Sequence, residues 1–146
     1  MRYAFLLPIL AAVALALGCD QPLRAYRPPA DLSQVRQAAA VIAEGTLARV
    51  DEGEHHPLPE RYWSLEGDIG YRCVVDLKNT LKVTKPVKGA GPQADSLVFW
   101  YLAACVKSEP LGNVEVTSSI LKPGDRLRVY LEKRGDKLWL IGHEKL

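Results

Sequence analysis

The side chains best suited to chemistry lie in the run 51–56, which reads Asp-Glu-Gly-Glu-His-His. Carboxylates and imidazoles are the ligand types of zinc and other divalent ions, so Glu54, His55 and His56 are weak candidate metal ligands. The only other histidine is His143, near the C-terminus. Because adjacent histidines in a loop do not readily share one ion, the simpler interpretation is a solvated loop between the first two strands. We therefore expect no bound metal and no cofactor.

A second pair of carboxylates, Glu66 and Asp68, flanks Gly67. Paired acids can act in glycoside hydrolysis, but that reaction also needs a sugar cleft, which a domain of this size has little room to build. A nucleophile would need an oriented base beside it, and the chain contains no G-x-S-x-G motif. We expect no catalytic residues, and a hydrolase is the least favoured function.

The N-terminus carries the most specific pattern in the chain. Arg2 precedes an apolar run over residues 3–17, the layout of a secretory signal peptide. A membrane-spanning helix needs about 20 apolar residues, so this run is short for one. Gly18 directly before Cys19 resembles the lipobox of bacterial lipoproteins. The resemblance implies that residues 1–18 are removed and that Cys19 is acylated. Two or three acyl chains give stable anchoring, at about 0.8 kcal/mol for each buried CH₂.

This resemblance implies a place in the bacterial cell envelope, facing the periplasm or the exterior. Asp20 resembles the signal for retention in the inner membrane, which favours that membrane. Ordinary cleavage after residues 14–16 (Ala-Leu-Ala), with Cys19 as a plain thiol, is the alternative. Removal of residues 1–18 leaves 18 basic and 17 acidic side chains. A nearly neutral, exported chain has little attraction for phosphate backbones, so we expect no nucleic-acid partner.

Cys73 and Cys105 are the remaining cysteines, an even pair in a compartment where disulfides persist. Bridged Cα atoms lie about 4.4–6.8 Å apart. In a hairpin with its loop at 89–95, Cys73 faces a residue near 110, which misses Cys105 by about 15 Å at about 3.4 Å per residue unless a bulge shifts the register. A disulfide and two buried thiols therefore both remain open.

The pattern of elements predicts a mainly β domain over residues 31–146, after a signal peptide at 1–18 and a lipidated, proline-rich tether at 19–30. Asp31 is placed to cap a short helix. Strands are expected at 41–50, 73–84, 97–106, 126–132 and 138–143, with turns at 122–125 and 133–136.

A first strand bent at Gly45 and a Pro-Gly-Asp turn before the last hairpin resemble a five-stranded antiparallel OB-like barrel. An open β-sandwich is the alternative. Residues 107–122 show no helical period, although OB-like barrels often have a helix between the third and fourth strands.

Tyr62, Trp63 and Trp100 are a candidate partner surface, because clustered exposed aromatic residues mark protein interfaces. OB-like barrels bind ligands on a strand face and with the loop after the first strand, which is the same region. The favoured hypothesis is a non-enzymatic envelope lipoprotein that presents a small barrel to another envelope protein. A small-ligand or metal-binding module is the alternative.

Overall fold

The computed structural model describes the backbone of residues 24–57, 73–90, 95–108, 113–116 and 120–146, and the side chains of these except 106–108 and 113–116. The elements are α1 (Leu32–Ala38), β1 (Val41–Pro57), β2 (Cys73–Lys88), β3 (Ser96–Ser108), β4 (Asn113–Val116), β5 (Arg126–Arg134) and β6 (Lys137–Lys145). Within these residues, no helix has the length and apolar character that crossing a bilayer requires.

Five of the strands form a closed barrel. β1 pairs with β2 and β5, β2 with β3, and β5 with β6, all antiparallel. β3 and β6 close the ring in parallel through a single bridge, Trp100 opposite Trp139. This connectivity confirms the predicted OB-like barrel over the open sandwich. β4 pairs only with β3, outside the ring, in the segment 107–122 where no helix was predicted.

The barrel core is built by alternate residues of each strand. Side chains at every second position of β2, β3 and β5 point inward, and Leu77, Phe99 and Val129 are all fully buried. Burying one such side chain stabilises the fold by roughly 1.5–3 kcal/mol. Asn79 is the buried polar exception, and its side-chain amide donates to the carbonyl of Leu77 at 3.0 Å.

The first strand is longer than its sequence pattern predicts. It bends at Gly45, as expected, where a Cβ would lie 2.2 Å from the carbonyl oxygen of Lys82. It then continues to Pro57, so residues 51–56 are strand and the predicted loop is wrong there. The reason is tertiary: β2 pairs with this polar segment as far as Cys73 opposite Pro57.

Helix α1 lies on the outside of the barrel. Asp31 caps it by accepting a hydrogen bond from the Ser33 amide at 2.8 Å, as predicted. Its apolar residues Leu32 and Val35 pack against a small cluster that lies outside the barrel core. The helix approaches β6 so closely that a Cβ on Gly142 would lie 2.8 Å from Val35 Cγ1.

Candidate functional site

The outer face of the β1–β2 pair brings together a histidine and two carboxylates, Glu54, His56 and Asp76, which we call the acid–histidine cluster. His56 Nε2 lies 3.1 Å from Asp76 Oδ1. One ligand atom from each of the three residues lies within 4.8 Å of the others. His56 and Asp76 are both partly shielded from solvent, whereas Glu54 is exposed. Carboxylate and imidazole atoms at this spacing can bind a cation.

A β-bulge in β1 positions this cluster. The register between β1 and β2 shifts between Glu52 and His55, so Gly53 and Glu54 together stand opposite the single residue Asp76. Such bulges bend a strand and re-aim its side chains. His56 then pairs with Val74, and Val74 shares the outer face with Asp76. The carboxylate and the imidazole therefore meet diagonally across two paired strands.

Trp100 lies next to the acid–histidine cluster. A Cβ on Gly53 would lie 3.2 Å from Asp76 Cβ and 3.5 Å from Trp100 Cζ3. The Trp100 ring thus packs over the backbone of the bulge, and it points out of the barrel because its neighbours Phe99 and Tyr101 point in. A side chain at position 53 would stand in ordinary contact with the ring but would crowd Asp76.

The same outer face continues along β3 and β6 as an aromatic surface, which we define as Val98, Trp100 and Trp139. Val98 is 41% exposed and lies two residues before Trp100 on β3. Trp139 is the bridge partner of Trp100. The Lys137 ammonium lies 4.4 Å from the centroid of the Trp100 ring. A cation so placed is attracted to the face of the ring. The aromatic surface therefore has a positive charge beside it.

The histidines do not act together. His55 points away from His56, as strand neighbours do, and its Nε2 lies 3.7 Å from the Glu52 carboxylate. His143 bonds through Nδ1 to the Tyr26 hydroxyl at 2.8 Å. Of the weak candidates Glu54, His55 and His56, the structure brings Glu54 and His56 together with Asp76. His55 lies instead beside Cys73 and Cys105.

Cys73 and Cys105 form a disulfide, with their Cα atoms 5.1 Å apart. The expected register mismatch is wrong, because the paired positions of β2 and β3 end at Lys82 opposite Ser96, whereas β2 continues along β1 as far as Lys88. The connection therefore begins six residues earlier than the sequence indicated, which places the two cysteines opposite each other. A disulfide typically adds about 2–4 kcal/mol to stability.

The N-terminal segment closes the barrel where β3 and β6 share only one bridge. The Tyr26 amide donates to the carbonyl of Leu102 at 2.7 Å, and its ring packs on the core. Burial, with a smaller contribution from Tyr101, raises the pKa of Tyr26, so the hydroxyl keeps its proton. Burial also lowers the pKa of His143, and the neighbouring Lys145 adds to this. Both shifts fit a hydroxyl that donates to a neutral imidazole.

Several predicted site residues lie outside the described part of the chain: Cys19, Tyr62, Trp63, Glu66 and Asp68. Sequence analysis missed Asp76 and Trp139, because each is one member of an ordinary strand alternation. Only the pairing register places them beside His56 and Trp100. Comparisons with protein-family models, curated proteins and solved structures give no match.

Proposed function

We infer that this protein is a lipid-anchored component of the bacterial cell envelope that binds another envelope protein and catalyses no reaction. The resemblance of residues 15–19 to a lipobox supports the anchor at Cys19. The observation that carries the binding role is the aromatic surface of Val98, Trp100 and Trp139 on the outside of the barrel.

The chemistry of this surface favours a protein partner. Tryptophan is among the residues most enriched at the energetic centres of interfaces, and Trp100 and Trp139 lie side by side. Lys137 stacks on Trp100, and Lys78 is the strand neighbour of Trp100 on the β2 side. A partner with an apolar centre and an acidic rim fits this arrangement of rings and cations.

The cavity beside Tyr26 is small for a small-molecule site. It encloses about 160 Å³ and is lined by Arg24, Tyr26, Tyr101, Leu102, Arg134, Trp139 and Leu140. Small-molecule sites usually enclose roughly 300–1,000 Å³. Tyr26 lines this cavity and packs against the barrel core, and the proposed recognition uses the outer surface of the barrel instead.

Site-specific photocrosslinking in the native envelope tests the proposal. A photoreactive residue is placed at Val98 in the full-length, lipidated chain, and we expect one dominant crosslinked protein. Trp100→Ala in the same chain should lower the yield of this crosslinked complex at least fivefold, since truncating a central tryptophan typically costs about 2 kcal/mol or more of binding energy.

The matched control places the photoreactive residue at Val87, which is 49% exposed but lies at the far end of β2, away from the aromatic surface. Equal crosslinking yields from positions 87 and 98 would contradict the proposal. So would a yield from position 98 that Trp100→Ala leaves unchanged, provided that the variant keeps its melting temperature.

A further inference from the structure

We propose that Glu54, His56 and Asp76 form a binding site for a divalent transition-metal ion, of which Zn²⁺ fits best. This site is independent of the protein-binding role inferred above, although the two adjoin at Trp100.

The spacing of the ligand atoms carries the proposal. A tetrahedral zinc ion has ligands at about 2.0–2.2 Å, so its ligand atoms stand about 3.3 Å apart. His56 Nε2 and Asp76 Oδ1 lie 3.1 Å apart, already at that separation. The Glu54 carboxylate lies within 4.8 Å of both and is on an exposed side chain. Because Glu54 is exposed, its side chain has room to rotate toward an ion held by the other two ligands.

The scaffold holds the two inner ligands in place. His56 and Asp76 sit on paired strands, and sites on regular elements hold their geometry better than sites on loops. The disulfide fixes β2 to β3 three residues before Asp76, and Asp76 itself pairs with Leu102 on β3. Because the ligands are preorganised, binding need not order the strands that carry them.

The ligand set selects the kind of ion. Magnesium and calcium prefer sites made of oxygen ligands, whereas an imidazole with carboxylates suits zinc and its neighbours. The two carboxylates carry opposite charge to the ion and can neutralise it. Three protein ligands leave a fourth position open for water or for a group from a partner.

The other candidate group in the described residues, His55 with Cys73 and Cys105, does not compete. A thiolate is the form of cysteine that binds metal, and both sulfurs are held in the disulfide. His55 therefore has no thiolate ligand beside it and serves as the matched control for His56.

The test is calorimetric titration of Zn²⁺ into the full-length chain in detergent, after free thiols are blocked with iodoacetamide without reductant. We expect one ion for each chain. Asp76→Asn, His56→Gln and Glu54→Gln should each weaken binding at least tenfold, while His55→Gln should leave the affinity within twofold. Millimolar Mg²⁺ should not displace the ion.

Cobalt absorption provides a second readout, since tetrahedral Co²⁺ has a visible spectrum that Asp76→Asn should abolish. Absence of zinc binding would overturn the proposal. So would equal losses from His55→Gln and His56→Gln, which would indicate adventitious binding to surface histidines. Glu54 is exposed, so Glu54→Gln keeps the test decisive even if the other two variants are destabilised.

Discussion

His143 is a histidine whose folded environment favours its neutral form. Burial and the nearby Lys145 lower its pKa from the ordinary 6.5. In the unfolded chain it takes up a proton near that ordinary value, so the unfolded state binds more protons as the pH falls below 6.5. The stability contributed by neutral His143 is therefore present above that pH and is lost as the pH falls through the window below it.

Thermal unfolding between pH 5 and 8 measures this effect. We expect the melting temperature to fall less steeply below pH 6.5 in His143→Gln than in the natural chain. The difference in slope should correspond to less than one proton taken up on unfolding. Parallel curves for the two proteins would contradict the assignment of this pH dependence to His143.

For individual residues, the sequence indicated which residue types could bind a metal but not which of them lie close together in the fold. Glu54, His55 and His56 were singled out because their types suit metal ions. Asp76 was not, since it lies far along the chain and follows an ordinary polar alternation. A one-residue change in register would turn its side chain to the other face of the sheet, so no local pattern could have placed it beside His56.

At the scale of elements, the contact between α1 and β6 depends on the absence of a side chain at Gly142. Gly142→Ala would place a methyl group 2.8 Å from Val35 Cγ1. Overpacking of this kind costs about 1–3 kcal/mol. Urea unfolding should show that loss in Gly142→Ala.

A double-mutant cycle isolates the cause of that loss. In a Val35→Ala background, which removes the crowding methyl, Gly142→Ala should cost less than half as much, because residues in contact are energetically coupled. Additive losses would contradict the steric explanation.

Tyr130 belongs to the same cluster that contacts the helix. Hydrogen bonds from the Tyr130 hydroxyl and from Arg128 lower the pKa of Glu144.

The elements that the sequence predicted well are those with a local signal. Gly124 and Gly135 both adopt the positive φ that their turns require, and Asp31 caps its helix. The second half of β1 lacked such a signal, because its polar residues become strand only through pairing with β2. β4 lacked one because a segment of four residues is too short to show a clear period, and it is defined by its pairing with β3. The disulfide register was missed for the same reason: local alternation does not say where β2 leaves β3.

At the scale of the molecule, the docking of Tyr26 sets how far the barrel can lie from its proposed lipid anchor. The prediction of a tether over 19–30 implies a separation of roughly 30 Å. Because the Tyr26 amide is hydrogen-bonded to β3, residues 20–25 are all that separates Cys19 from this contact, and six residues of chain span at most roughly 20 Å. The proposed anchor would therefore hold the barrel close to the membrane surface.

Intact-mass analysis of the mature chain checks the anchor. We expect a terminus at Cys19 that carries the added mass of two or three acyl chains. We also expect all of the protein to be recovered in the membrane fraction. Cys19→Ala should leave an uncleaved precursor, because the resemblance assigns acylation and cleavage to that cysteine. A mature terminus at any other residue, or an unmodified Cys19, would contradict the anchor.

The contact between Tyr26 and β3 also has a mechanical consequence. The Tyr26 amide is bonded to Leu102, two residues after Trp100 and three before Cys105 on the same strand. For a chain anchored at Cys19, a pull from the membrane would enter β3 at Leu102, and the pull of a partner would enter at Trp100. The force between these two points would pass along the few covalent bonds of β3 between Trp100 and Leu102. The disulfide from Cys105 to Cys73 would keep β3 from sliding along β2.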